Sequence, residues 1–170
     1  DEFEITDSSL SLETGAIDGR FGKAIFRNSR FFGKGLDCGL AEFGTLLVEA
    51  CTFGYPGFQV YGEPNKLPPT PSRSPIYWSR IGELTLRNQK LAKANMAYLQ
   101  VDTFTVENSS LEDCDLSHGR IGTWRFVNAR LAGSLNLSDT TIQRIDNQGL
   151  TQNAKITGKL EASPDALTKR

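Results

Sequence analysis

The chain's one histidine lies in a short segment with several groups that are used in nucleophilic catalysis. The segment reads Cys114-Asp115-Leu116-Ser117-His118 and contains a thiol, a carboxylate, a hydroxyl and an imidazole. A nucleophile and its base must come within hydrogen-bonding distance before they can react. Whether these side chains can meet depends on the structural element that positions them.

A second group of side chains recurs at intervals of twenty residues and would suit molecular recognition. The group consists of the rings Trp78, Tyr98 and His118, with Tyr77 beside the first, and of the polar residues Arg80, Gln100 and Arg120. Aromatic and guanidinium groups are enriched at the centres of interfaces. If the fold stacks positions twenty residues apart, the group predicts a wall that binds a protein, a glycan or an anionic ligand. Alternatively, the rings pack beneath the neighbouring segment 56–75.

A five-residue period of large apolar residues indicates which element positions these groups. From Ile81 to Leu131 the period is unbroken through Leu86, Leu91, Met96, Val101, Val106, Leu111, Leu116, Ile121 and Phe126. In the N-terminal part the same count passes through Phe21, Phe26, Phe31, Leu36, Ala41, Leu46 and Cys51. Neither a helix nor a strand has a period of five. A chain wound as a square does, because four five-residue sides, each with its central residue on the axis, close one coil of about twenty residues.

Asparagine also recurs in step with the proposed coil. The recurring residues are Asn28, Asn88, Asn108 and Asn128, with Gln148 one coil further on. Identical amides stacked at one strand spacing can hydrogen-bond along their column. We therefore expect a structural ladder here rather than a binding site.

Several triplets resemble the pentapeptide-repeat family, whose pattern is a small residue, then often Asp or Asn, then Leu or Phe. Examples are Ala94-Asn95-Met96, Cys114-Asp115-Leu116 and Ala129-Arg130-Leu131. The resemblance covers roughly 21–55 and 76–140, and it implies an all-β, right-handed parallel β-helix with a quadrilateral cross-section. Large residues such as Leu84, Gln89, Phe104 and Trp124 stand where the family has small ones, which indicates widened or distorted coils.

The sequence predicts one domain, since 170 residues suffice for one core of ordinary size. Its expected parts are an N-terminal cap (1–20), first coils (21–55), a long proline-rich loop (56–75), later coils (76–160) and a C-terminal cap, short helix or tail (161–170). Proline cannot donate to a strand ladder, which favours the loop. Beyond Thr140 the five-residue count reaches Thr141, Asp146 and Thr151, which indicates a loosening last coil.

Composition and spacing argue against several classes of function. The 19 basic and 20 acidic residues almost balance, so we expect no nucleic-acid partner. No apolar run is long enough to predict a membrane span. No metal-ligand or cofactor motif is present, and Cys38, Cys51 and Cys114 are expected to be buried thiols. On a coil, Cys114 would point inward while Ser117 and His118 point outward, so we do not expect an enzyme.

The leading hypothesis is a non-catalytic binding scaffold that presents an extended wall to a protein partner. Some members of the resembled family mimic DNA, but those are strongly acidic. Other degenerate members are recognition modules of secreted bacterial proteins, and a start at Asp1 without methionine is compatible with an excised module. The alternative is a carbohydrate-binding or carbohydrate-active β-helix in which Trp78 and Tyr98 stack on sugars. The sequence assigns no compartment.

Overall fold

The chain forms an all-β, parallel β-solenoid of about six turns that lie about 21 residues apart. The computed structural model describes residues 1–12, 16–33, 36–53, 58–59 and 80–158, and within these ranges every regular element is a strand. The prediction of an all-β fold with stacked parallel coils is therefore confirmed. Among the described residues, no helix has the length and apolar character needed to cross a bilayer.

Most coils contribute one long strand and one or two short strands. The N-terminal strands are β1 (Glu2–Thr6), β2 (Ser9–Leu12), β3 (Ala16–Arg27), β4 (Arg30–Gly33), β5 (Leu36–Glu49), β6 (Thr52–Phe53) and β7 (Phe58–Gln59). The later strands are β8 (Arg80–Arg87), β9 (Lys90–Ala92), β10 (Gln100–Glu107), β11 (Ser110–Glu112), β12 (Arg120–Ala132), β13 (Ser134–Asn136), β14 (Thr141–Gln152) and β15 (Lys155–Thr157). The long strands form one parallel sheet in the order β1-β3-β5-β8-β10-β12, and β14 pairs with β12.

The residues of the unbroken five-residue period lie on the axis of the solenoid. Every member from Ile81 to Leu131 is buried. A second inner layer consists of Leu84, Phe104 and Trp124, and the last two rings stack with centroids 5.7 Å apart and an interplanar angle of 7°. Stacking of like side chains at one strand spacing removes both ring faces from water, which favours burial of such large residues.

The N-terminal coils are longer than twenty residues, so the five-residue count, which assumes twenty residues per coil, is wrong there. Arg20 pairs with Glu42, and Phe26 pairs with Val48. Leu46, which the count placed one coil after Phe26, pairs instead with Ala24. The ladder follows backbone hydrogen bonds, and extra residues in a coil shift every later position.

The last coil also differs from the count by one residue. Arg120 pairs with Thr141, so Ile142 rather than Thr141 follows Ile121 on the axis, and Ile142 is buried. In the same way Gln148 pairs with Val127 and does not continue the asparagine column. One extra residue before Thr141 accounts for both differences. The expected loosening of the last coil is seen at Asn147, a polar residue that takes the position of Phe126 in the next coil.

Three columns of left-handed backbone mark corners of the central coils. The columns are Asn88, Asn108 and Asn128; Lys93, Asp113 and Gly133; and Tyr98, His118 and Asp139, all with φ between 46° and 64°. Within the coils that begin at Arg80 and Gln100, these residues are five apart. A five-residue side that ends in a left-handed residue therefore explains the five-residue period in three of the four sides.

Parts of the expected cap and loop belong to the ladder. Glu2–Thr6 pairs with Lys23–Arg27, and Ser9–Leu12 pairs with Arg30–Gly33, so the first twelve residues form most of a coil. Phe58–Gln59, at the start of the expected loop, pairs with Leu36–Asp37. The rest of 56–75 and the predicted helix or tail at 161–170 lie outside the described residues.

Candidate functional site

The asparagine column lies at a corner and is set mainly by backbone conformation. Asn28, Asn88, Asn108 and Asn128 all have φ near 50°. Asparagine adopts left-handed backbone more readily than most residues, which sequence reasoning did not consider. Asn128 Nδ2 also donates to Asn108 Oδ1 at 3.3 Å. Ala50 lies between Asn28 and Asn88 in the ladder, so those two amides are not adjacent.

The structure brings together five of the seven residues proposed for partner binding. Arg80, Gln100 and Arg120 occupy one register position on three successive strands. The rings of Tyr98 and His118 stack with centroids 4.7 Å apart and an interplanar angle of 17°. Tyr77 and Trp78, the other two, lie outside the described residues.

Short-range hydrogen bonds explain the placement of the two rings at a corner. Asn95 Oδ1 accepts from the backbone N–H of Ala97 at 3.1 Å, and Asp115 Oδ1 accepts from that of Ser117 at 2.9 Å. Such side-chain bonds to the backbone two residues later form Asx turns. Tyr98 and His118 follow these turns with φ of 60° and 57°. The Asn or Asp in each triplet thus turns the chain and projects the ring at the corner.

The groups around His118 do not form a nucleophile and base pair. Cys114 Sγ faces the carbonyl oxygens of Glu112 at 3.4 Å and Leu91 at 3.8 Å, and burial raises the pKa of this thiol to about 11. Ser117, expected to face outward, is buried. His118 Nδ1 instead lies 3.4 Å from Asp139 Oδ2 on the next coil. A neutral, buried thiol is a poor nucleophile.

The stacked rings of Tyr98 and His118 shield each other in part. With the planes nearly parallel and 4.7 Å between centroids, Tyr98 and His118 cover one face of each other. The His118 side chain is 42% exposed at the corner. Because the stack covers only the faces that the two rings turn toward each other, its geometry is compatible with packing against protein and with stacking on a sugar.

A shallow groove runs beside the polar column. One cavity of about 570 Å³ is lined by Arg80, Gln100, Arg120 and Asp102, among others. A second of about 420 Å³, over the preceding coils, shares Arg80 and Asp102 with it. Because these residues hold equivalent positions on stacked coils, the two cavities form one groove along the solenoid axis, which we call the glycine groove.

Glycines form much of the floor of the glycine groove, at Gly22, Gly44, Gly82 and Gly122. A Cβ on Gly82 would lie 2.5 Å from the carbonyl oxygen of Gly44, and one on Gly122 would lie 2.5 Å from that of Asp102. Only glycine allows this close approach. The chain bends here without a left-handed residue and leaves backbone at the surface.

The arginines of the wall fall into two groups, those with and those without an ion-pair partner among the described residues. Four arginines have carboxylate partners: Arg20 with Glu42, Arg27 with Glu49, Arg87 with Glu107 and Arg125 with Asp146, at 2.8 to 3.1 Å. Arg80 and Arg120 are exposed, and neither has an ion-pair partner among the described residues. Arg30, Arg130 and Arg144 are likewise exposed and without such a partner in the described ranges, whereas Arg20, which also lines the groove, is paired.

Sequence reasoning missed the floor of the groove. Gly82 and Gly122 are forty residues apart and flank Asp102 in the ladder, so glycine recurrence was a usable signal. The described residues contain no group of three or more His, Cys, Asp or Glu side chains arranged to hold a metal ion. Comparison of the chain with protein-family models, with curated proteins and with solved structures gives no match.

Proposed function

We propose that the protein is a non-catalytic scaffold that binds a protein partner along the wall formed by Arg80, Gln100, Arg120, Tyr98 and His118. The observation that supports this most directly is the pair of exposed guanidinium groups without ion-pair partners among the described residues. A rigid ladder holds Arg80 and Arg120 in register on either side of Gln100. The backbone is therefore already ordered before association, and binding has to order side chains only, which lowers the entropic cost.

Protein is favoured over carbohydrate by the groups that lie beside the aromatic rings. Tyr98 and His118 stack on each other two residues before Gln100 and Arg120. Exposed arginines and a half-buried amide next to aromatic rings resemble the composition of protein interfaces. A carbohydrate-binding or carbohydrate-active β-helix remains the alternative, with Trp78 and Tyr98 as the residues that stack on sugars.

The corner geometry supports a relationship with the pentapeptide-repeat family, which we infer from two features. Left-handed residues recur every five positions at three corners of a coil. Small inward residues such as Ser29, Ser109 and Cys114 precede the apolar centres Phe31, Leu111 and Leu116. By the same resemblance we propose that the chain is a recognition module of a larger secreted bacterial protein. A gene that continues into a catalytic domain would support that proposal.

Partner capture by matched variants tests the binding function. Immobilised protein is compared with R80A/R120A and with K90A/R130A, using extract from the source cells and from their hosts. Lys90 and Arg130 are also two coils apart, with Ser110 between them, and they likewise have no ion-pair partner among the described residues.

We expect a defined protein to be retained by the wild type and by K90A/R130A and to be lost with R80A/R120A. Equal loss with both variants would show non-specific charge binding and contradict the proposed site. Turnover of any polysaccharide by the purified chain would contradict a non-catalytic scaffold.

A further inference from the structure

The glycine groove has a charge pattern that specifies the chemistry of its ligand. From this geometry, and resting on the proposed protein-binding function, we infer that the groove binds an acidic protein segment in the polyproline II conformation, with carboxylates three residues apart. The segment lies along the solenoid axis, with one carboxylate at Arg80 and the next at Arg120.

The orientation of the ligand follows from the ladder. Arg80, Gln100 and Arg120 occupy the same position on successive strands, so the line that joins them runs along the axis. The floor lies two residues further along each strand, at Gly82, Asp102 and Gly122, and follows the same direction. An elongated ligand can therefore remain in contact with both only if it lies along the axis.

The spacing of the two guanidinium groups selects the conformation of the ligand. Two strand separations place the backbones at Arg80 and Arg120 about 9.6 Å apart. A polyproline II helix has three residues per turn and advances about 3.1 Å per residue, so side chains three residues apart lie on the same face and about 9.3 Å apart. In a β-strand, same-face side chains are about 6.6 Å or about 13 Å apart. The polyproline II repeat matches the ladder, and the strand repeat does not.

The other groups of the groove also suit a polypeptide. Arginine binds carboxylates through paired hydrogen bonds, which favours an acidic side chain at each end. Gln100, half-buried between the two arginines, has both a donor and an acceptor for a peptide group. Polyproline II backbone makes no internal hydrogen bonds and leaves its carbonyl groups available to such a side chain.

Acidic groups limit the length and the class of the ligand. Glu42, paired with Arg20, precedes Arg80 in the column, and Thr141 follows Arg120. The basic strip therefore accommodates two carboxylates. Asp102 on the floor repels a continuous polyanion such as nucleic acid, whose phosphates follow one another without neutral gaps.

Composition-matched peptides test the spacing directly. Fluorescence anisotropy compares a labelled (Glu-Pro-Pro)-repeat peptide with a peptide of the same composition in which the glutamates are adjacent. Both are titrated with the full chain, with R80Q/R120Q and with K90Q/R130Q, and a uronate oligosaccharide serves as a non-peptide polyanion. Circular dichroism confirms that each variant is folded.

We expect the repeat peptide to bind about tenfold more tightly than its rearranged form, and R80Q/R120Q to lose about tenfold while K90Q/R130Q retains its affinity. Equal affinity for both peptides, or tighter binding of the oligosaccharide, would overturn the inference. If partner capture still depends on Arg80 and Arg120 in that case, the proposed function stands without this ligand. If capture also fails, both are wrong.

Discussion

At the scale of single residues, small inward hydroxyls and thiols complete the corners of the coil. Ser29, Ser109 and Cys114 each place their Oγ or Sγ 2.6 to 3.4 Å from the carbonyl oxygen two residues earlier. Sulfur is the weaker donor of the two, so cysteine serves here as a small apolar residue that satisfies part of a backbone acceptor. The occurrence of small residues at these inward positions thus has a local physical reason.

Cys114 should make the stability of the fold decrease with rising pH in the alkaline range. An unfolded thiol titrates near 9.0, and burial raises the pKa of the folded Cys114 thiol to about 11. The folded state therefore keeps its proton while the unfolded state loses it. The contribution of this thiol to stability is fully present below the unfolded pKa and is lost as pH rises toward the folded pKa.

Urea unfolding from about pH 8 to about pH 11, comparing the wild type with C114S, measures this effect. Serine already occupies the equivalent position at 109, so C114S should fold. We expect a steeper loss of unfolding free energy with pH in the wild type. Parallel pH profiles for the two proteins would show that Cys114 titrates normally in the folded state.

At the scale of strands, arginine and glutamate side chains alternate along the column Arg27, Glu49, Arg87 and Glu107. This column crosses the coil that contains the long segment between β5 and β8. Arg27 Nε lies 2.8 Å from Glu49 Oε2, and Arg87 Nε lies 2.9 Å from Glu107 Oε2. Glu49 also lies 4.0 Å from Arg87, so one carboxylate joins the strands on either side of the long insertion. The pKa of Arg27 is raised mainly by its hydrogen bond to Glu49.

Replacing Glu49 by Gln should destabilise the protein by about 1 kcal/mol at low ionic strength, because two neighbouring arginines lose their shared counter-charge. Salt screens such partly exposed charges, so the difference should shrink in about 1 M NaCl. Chemical unfolding at both salt concentrations measures it. E112Q is the control, since Glu112 is exposed and has no ion-pair partner among the described residues. A salt-independent loss in E49Q would indicate altered packing instead.

At the scale of the whole molecule, the solenoid is stabilised by contacts between neighbouring coils. The central coils are covered on both sides, whereas β1 forms one edge of the main sheet and β14 extends it beyond β12. In β14 most side chains after Ile142 are exposed or half-buried. In such linear folds stability depends on nearest-neighbour interfaces, so the ends open most readily.

Native-state hydrogen exchange should therefore show a gradient along the axis. We expect the slowest amides in β8, β10 and the first part of β12, and faster exchange in β1 and β14 by about a hundredfold or more. Mass spectrometry of peptic fragments measures this gradient. Uniform protection from β1 to β14 would show that the coils open as one cooperative unit, contrary to this expectation.

The five-residue apolar period by itself determined the class of fold and the axis residues of the central coils. It could do so because these coils have constant length, and each buried centre therefore recurs at a fixed interval. For the same reason, the sequence correctly placed Arg80, Gln100 and Arg120 in one column and Tyr98 beside His118.

Only the tertiary structure decided the register of the outer coils, the glycine groove and which arginines form ion pairs within the described residues. Extra residues before Glu42 and Thr141 shift the ladder, and backbone hydrogen bonds between distant segments select the new pairing. Whether an arginine meets a carboxylate depends on which residue the next coil places opposite it. Arg27 meets Glu49 in this way, whereas Arg120 lies between Gln100 and Thr141. Arg80 lies between Gln100 and Glu42, whose carboxylate pairs with Arg20.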